Sequence, residues 1–187
     1  MTEKPAKRTD AVRNRQRILQ VARETFRDDD PAGRDVSMIE IARRSGVGSA
    51  TLYRNFPTRR HLLEALLVDE VEAVCAAAAD AEGETAEARL TAWLRRFFQY
   101  VTDKRPVAIE LLEHTDRADP VFGSSRERVV ASGAPLLAAA QKAHEIQATL
   151  TLDQILDLVV AVAKIPGDPS YRRPILDTVL AGLRAAG

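Results

Sequence analysis

The chain has 187 residues, 45% hydrophobic and 29% charged, a balance typical of a globular protein large enough for one sizeable core or two smaller ones. Its longest alanine-rich apolar piece, Val74 to Ala79, is far short of the ~18 residues of a membrane span, and the polar, basic stretch from Glu3 to Arg17 has no apolar core of a secretory signal. A single cysteine, Cys75, excludes an internal disulfide framework, so the chain reads as cytoplasmic, with no membrane partner.

The formal net charge of zero conceals an asymmetry. Residues 1–60 hold 14 Lys+Arg against 8 Asp+Glu, whereas residues 61–187 hold 13 against 19. A basic first third joined to an acidic remainder suggests that one part meets a polyanion.

Helical periodicity dominates, beginning with Ile18, Val21, Ala22, Thr25 and Phe26 on one face of a first helix whose other side carries Arg13, Arg17 and Arg27. The run Asp28 to Gly33 breaks it with turn formers and Pro31. Ser37-Met38-Ile39-Glu40 has the pattern of a capping box, opening a short second helix that buries Met38, Ile41 and Ala42. Ser45-Gly46-Val47 ends it, with Gly46 free to take a positive φ. A third short helix is predicted from about Gly48 to Phe56, and Pro57 punctuates.

Thr58 can cap the next helix, which runs to about Asp80 on a stripe of Leu63, Leu67, Val71, Val74 and Ala78. After a break at Glu82-Gly83, a helix over about Thr85 to Thr102 carries Leu90, Leu94, Phe97 and Val101, widened by Trp93 and Phe98. Pro106 and Pro120 suit first-turn positions, and Pro135 predicts a kink or break in the long segment that follows. Thr151 to Gln154 is a second capping box, opening a helix to about Lys164. Past a loop from Ile165 to Pro169, the last helix runs from about Ser170 to Ala185 with Ile175, Leu176, Val179, Leu180 and Leu183 on one face. The expected fold is all-α, about nine helices: a helix-turn-helix domain with a basic N-terminal arm over residues 1–60 and a larger helical domain over residues 61–187.

Two short helices joined by a glycine turn and preceded by a longer basic helix form a helix-turn-helix, whose second helix must be small-faced to enter a major groove. Here it offers Gly48, Ser49, Ala50 and Thr51 at its N-terminus, where backbone N–H groups favour phosphate or base edges. Leu52 and Phe56 face inward, while Tyr53, Arg54 and Asn55 stay outside. Tyr53 can donate to a phosphate oxygen, and Arg59 can pair with one. Ser49, Thr51 and Arg54 or Asn55 are the candidates for base readout, arginine suiting guanine and asparagine adenine. Arg17 is a further phosphate candidate.

Ile41-Ala42, Gly46-Val47, Ala50-Thr51-Leu52-Tyr53, Phe56, Thr58-Arg59 and Leu62-Leu63 together resemble the DNA-binding domain of the tetracycline-repressor (TetR) family, over residues 12–64. The rest of the chain is similar to that family only in length and helical character. The resemblance implies a three-helix DNA-binding domain, a larger ligand-binding and dimerisation domain, a homodimer on double-stranded DNA, and repression relieved by a small molecule. It also implies phosphate contacts at Ser37, Tyr53 and Arg59, the last usually lysine in the family. Gly48 stands where Ser or Thr is common and Asn55 where His is frequent. The first loses a side-chain cap, and the second leaves the contact made there open.

Leu158 to Ala163 is apolar nearly all round, and with the last helix it makes a candidate dimer interface: Leu158, Val162, Ile175, Val179 and Leu183. The other reading is that these residues close the chain's own core. A ligand pocket between the middle helices would draw on Trp93, Phe97, Tyr100 and Phe122, with Glu110, Glu113 and His114 as polar anchors. Each of these is also explained as ordinary core or surface. His61, His114 and His144 are scattered and no catalytic, phosphate-loop or metal-ligand spacing appears, so neither an enzyme nor a cofactor or metal is expected. Cys75, among small apolar residues, reads as a buried hydrophobe, with redox sensing the alternative. A regulator answering to a protein partner is the third class.

Overall fold

The computed structural model describes residues 4–28, 37–103 and 120–185. Among them lie eight helices: α1 (Lys4–Asp28), α2 (Met38–Arg44), α3 (Ser49–Asn55), α4 (Arg59–Ala79), α5 (Ala86–Asp103), α6 (Pro120–Lys142), α7 (Leu152–Lys164) and α8 (Pro169–Ala181). The helix expected at Pro106 lies outside the described residues, as do the break after Asp28, Glu110, Glu113 and His114. No described helix is long and apolar enough to cross a membrane. The chain divides into two compact units, the boundary falling within α4 between Asp69 and Glu70.

In the first unit α1, α2 and α3 pack pairwise. Ile18, Leu19, Ala22 and Phe26 of α1 are buried, as are Met38, Ile41 and Ala42 of α2, and Leu52 and Phe56 from α3 and its end. Leu62, Leu63 and Leu66 of α4 are fully buried too. Among the described residues of this unit two polar side chains, Thr25 and Ser45, are buried, and each donates its hydroxyl to its own helix. Thr25 donates to the Val21 carbonyl at 2.7 Å and Ser45 to that of Ile41 at 2.7 Å.

The second unit is organised around α5, which packs on both α6 and α7, while α8 packs on α7. Its core joins Val71 and Val74 of α4, Leu90, Trp93, Leu94 and Phe97 of α5, Val129 and Leu137 of α6, Leu152, Ile155, Leu156 and Val159 of α7, and Leu176 and Leu180 of α8. Trp93 is the keystone: 1% exposed, it donates from Nε1 to the Val74 carbonyl at 3.1 Å. A Cβ on Gly133 would lie 2.1 Å from its Cη2, so α6 approaches as closely as it does only because position 133 has no side chain.

Three expectations are corrected. Of the kink or break expected at Pro135, the break does not occur: Pro135 lies inside α6. Pro135 and Ala131 are both exposed, so water can satisfy the Ala131 carbonyl that proline leaves unbonded. The last helix ends at Ala181 rather than Ala185. Beyond it Leu183 accepts from Gln147 N–H at 3.0 Å and Ala185 donates to the Glu145 carbonyl at 3.1 Å, a short antiparallel bridge that takes the backbone groups a helix would have used. The capping box at Ser37 is only half formed, for reasons given below. The box at Thr151 is complete: Thr151 Oγ1 accepts from Gln154 N–H, and the Gln154 side chain accepts from Thr151 N–H at 2.9 Å.

Candidate nucleic-acid interface

The turn between α2 and α3 is built on Gly46, whose φ of +64° lies in the left-handed region that favours glycine. Val47 N–H then returns to the Ala42 carbonyl at 3.1 Å, closing α2 and aiming the chain into α3. Gly48 caps α3 with backbone alone and no side-chain hydrogen bond, as its residue type dictates. Leu52 (0% exposed) and Phe56 (1%) bolt α3 to the body of the unit. Its other face is open: Gly48, Ser49, Ala50, Tyr53 and Arg54 are exposed, Tyr53 by 45%, and Thr51 and Asn55 are half-exposed.

Two of the candidate base readers are turned onto α3 itself. Arg54 donates to the Ala50 carbonyl at 3.1 Å and to Thr51 Oγ1 at 2.9 Å, and Asn55 Nδ2 donates to the Thr51 carbonyl at 2.8 Å. Ser49, in the first turn, remains outside this network. The N-terminal face of α3 therefore presents a small, flat surface (Gly48, Ser49, Ala50), with the Arg54 guanidinium laid along it rather than projecting.

The flanking positions are exposed in the same unit. Ser37, the N-cap of α2, accepts from Glu40 N–H at 3.1 Å. The reciprocal half of the box is missing because the Glu40 carboxylate is taken by Arg43, through Nε at 2.8 Å and Nη2 at 2.7 Å, and by Arg44 Nε at 2.8 Å. These hydrogen bonds hold the Glu40 carboxyl down at about 2, well below its ordinary 4.5. Arg59, at the start of α4, places its Cζ 5.3 Å from the centroid of the Phe26 ring, and Thr58 Oγ1 accepts from His61 N–H at 3.3 Å. Arg17 is exposed on α1.

The residues that sequence reasoning missed here are Arg15 and Arg23. Arg15 sets its Cζ 4.6 Å above the Phe56 ring, and Arg23 pairs with Asp69 of α4. Neither is signalled by local spacing, since their partners lie about forty residues further along the chain.

The candidate ligand residues have a different character. Trp93 and Phe97 are buried, their rings 6.3 Å apart and stacked, and Phe97 lies 6.0 Å from Tyr100. Burial, then the charges of Glu70 and Cys75, push the Tyr100 phenol up. Trp93, held by Val74 and pressed on Gly133, is core. The side chain of Phe122 lies outside the described residues. Of the candidate interface residues, Val162 and Leu183 are buried in the chain's own core, Ile175 and Val179 are half-buried, and Leu158 is 40% exposed. Cys75 is half-buried, its Sγ 3.5 Å from the Arg128 carbonyl. Among the described residues no group of three or more His, Cys, Asp or Glu side chains is placed to hold a metal ion.

This architecture has close relatives. Residues 18–66 match the family model for bacterial regulatory proteins of the tetR family, and residues 85–185 match the SbtR-like transcriptional regulator C-terminal domain. The crystal structure of the TetR transcriptional regulator SCO0520 from Streptomyces coelicolor is 31% identical, covering 92% of this chain and 99% of that one, with a TM-score of 0.74. A TetR transcription regulatory protein from Mycobacterium vanbaalenii is 30% identical over 95% of this chain and 99% of its own, with a TM-score of 0.76. The HTH-type transcriptional regulator SAB2452 of Staphylococcus aureus (strain bovine RF122 / ET3-1) is 42% identical over 55 residues, and the chain spans 29% of the length of that curated relative. With one family model matched across its helix-turn-helix and another across more than half its length, the chain belongs to the TetR family of transcriptional regulators.

Proposed function

We propose that the chain is a sequence-specific, homodimeric repressor that leaves its operator when a small molecule binds its larger domain, with the DNA-binding part in residues 1–60 and the ligand-binding and dimerisation part in residues 61–187. The observation that carries the reading is α3: a seven-residue helix locked by Leu52 and Phe56 that turns a small-faced, exposed N-terminus outward. That is the shape a major groove admits. Two subunits then place their α3 helices in successive grooves, about 34–36 Å apart.

Arg17, Ser37, Tyr53 and Arg59 set register on phosphates, while Ser49, Thr51 and Arg54 or Asn55 read bases. Arg54 and Asn55 must leave their helix-bound hydrogen bonds to do so, an exchange rather than a net loss when base edges replace them. Leu158 with Ile175 and Val179 supplies the apolar surface for the second copy. Phe97 and Tyr100 are the candidate aromatic walls of the ligand site. Ligand binding favours an arrangement whose heads no longer match the groove spacing, with a coupling of about 1–3 kcal/mol.

The test is selection of bound sequences from random double-stranded DNA at moderate salt. A palindromic motif is the expected result, and enrichment of nothing would overturn the reading. Mass measurement at micromolar concentration tests the dimer, and a thermal-shift screen of small molecules tests the effector, because a ligand of the folded state raises the melting temperature.

A further inference from the structure

The Thr51 hydroxyl is situated unlike the two buried hydroxyls of the same unit. Thr25 and Ser45 each donate to the carbonyl four residues back, those of Val21 and Ile41. For Thr51 that carbonyl belongs to Val47, which precedes the N-cap Gly48 and so lies outside α3. The carbonyl three back, of Gly48, already accepts from Thr51 N–H at 2.8 Å and from Leu52 N–H at 3.1 Å. A threonine this close to the start of a helix has no free carbonyl behind it, and among the described residues its proton is unspent. What the hydroxyl does is accept, from Arg54 Nη2 at 2.9 Å.

Arg54 is built to hold that contact. Nε and Nη2 form one edge of the planar guanidinium, and both are committed to α3, Nε to the Ala50 carbonyl at 3.1 Å and Nη2 to Thr51. Two bonds from one rigid edge fix the orientation of the guanidinium and, with it, the accepting side of the Thr51 hydroxyl. The β-branch of threonine removes much of the freedom that remains. Both residues belong to the open side of α3, Arg54 exposed and Thr51 half-exposed.

A hydroxyl carries one donor and two acceptor lone pairs. With one lone pair held by a cation it becomes a better donor and a poorer acceptor, and an approaching amino group meets the guanidinium N–H groups as well. Base edges differ in just this respect. In the major groove guanine, adenine and thymine each offer an acceptor at N7, O6 or O4, whereas cytosine offers only its N4 amino group. We infer that Arg54, rather than being the third base reader, stays on α3 as a positioning residue that commits Thr51 to donate, so that the base in front of Thr51 is one with an acceptor and not cytosine. Asn55 is then the third reader: it holds only the Thr51 carbonyl, at 2.8 Å, and its release leaves the Arg54–Thr51 pair intact. This rests on the DNA-binding reading of α3 and deepens it by naming the class of base that Thr51 meets.

The experiment selects bound sequences from random duplex DNA with the full-length protein and with T51V, T51S, R54A and T51V/R54A, then measures binding to operators that differ at one base pair. The base pair in front of Thr51 is the position whose preference T51V abolishes and T51S keeps. There the wild-type protein should disfavour cytosine about ten-fold, within the usual cost of one mismatched pair. R54A should reduce that to about two-fold or less, leave the neighbouring positions alone, and add nothing in the T51V background, which is the signature of one residue acting through another. If R54A instead erases a guanine preference at a different position, in T51V as in wild type, Arg54 reads a base itself and the inference fails. It fails too if R54A leaves every preference intact, whether or not the slope of log K against log salt falls by the ~0.9 of one phosphate contact. A T51V protein with an unaltered motif overturns it by removing Thr51 as a reader. If the wild-type protein selects no motif at all, the failure lies with the DNA-binding reading.

Discussion

Replacing Gly133 by alanine tests the packing of the second unit at its tightest point. In a helix interior this change ordinarily stabilises by about 1 kcal/mol, because glycine loses the most backbone entropy on folding. Here the new methyl would lie 2.1 Å from Trp93 Cη2, 2.4 Å from Cζ3 and 2.8 Å from Cζ2, against the ~3.5–4.0 Å at which carbon atoms pack. The ring cannot yield easily. It is 1% exposed, and sliding it away breaks the bond from Nε1 to the Val74 carbonyl. Overpacking of this kind costs about 1–3 kcal/mol or more, and three sub-contact distances put it at the upper end. Subtracting the propensity gain leaves a net loss of about 2 kcal/mol. Urea denaturation of G133A at fixed protein concentration reads this as a lower midpoint with an unchanged slope. W93F, which removes the far part of the indole, supplies the control: in that background G133A should be neutral or stabilising. A rise in midpoint for G133A in the wild-type background would refute the account of Trp93 as a ring pressed against bare helix backbone.

Three further outcomes are expected. His144 holds φ at +58° just past the end of α6, where Glu145 N–H returns to the Ala140 carbonyl, so H144G should stabilise by about 1 kcal/mol in the same urea assay, and a loss would contradict the strain. Because Glu40 is depressed to about 2, its ion pairs support α2 fully above the ordinary carboxyl value of 4.5 and fade as pH falls toward 2. A carboxyl NMR titration should show that low midpoint and move upward in R43Q/R44Q, whereas a midpoint near 4.5 in the wild type would break the assignment. Arg172 is 7% exposed, with one guanidinium nitrogen donating to the Ala163 carbonyl at 3.1 Å and Nε buried without a partner. Losing the bond and removing the unpartnered donor oppose each other, so R172M should change stability by less than about 1 kcal/mol; a loss above about 3 kcal/mol would mean that Nε is satisfied.

Most of the helical architecture is legible in the sequence. The stripes of α4 and α5, the capping box at Thr151 and the positive-φ turn at Gly46 follow from residue type and spacing, because the interactions behind them close within one or two turns of chain. Helix α3 is legible for the same reason: Leu52 and Phe56 sit one turn apart, and burying them leaves Ser49, Ala50 and Tyr53 outside. Local reasoning erred where a competitor lay nearby in space or in the next turn. The spacing of Ser37 and Glu40 predicts a reciprocal cap, yet the Glu40 carboxylate pairs with Arg43 and Arg44, whose charged donors bind it more strongly than a neutral N–H. Residues 182–185 continue a helical pattern, yet the Leu183 carbonyl pairs with Gln147 N–H and the Ala185 N–H with the Glu145 carbonyl, a choice made across nearly forty positions. Trp93 is open in sequence to two readings, core or pocket wall, and what meets its ring, the bare backbone of Gly133 and the Val74 carbonyl, comes from other helices. Arg15 over Phe56 is the same kind of fact. Sequence by itself determines which faces are apolar and where most helices begin, since those energies are local. Tertiary structure alone decides which charged or aromatic side chain each face meets, since that depends on elements brought together from distant parts of the chain.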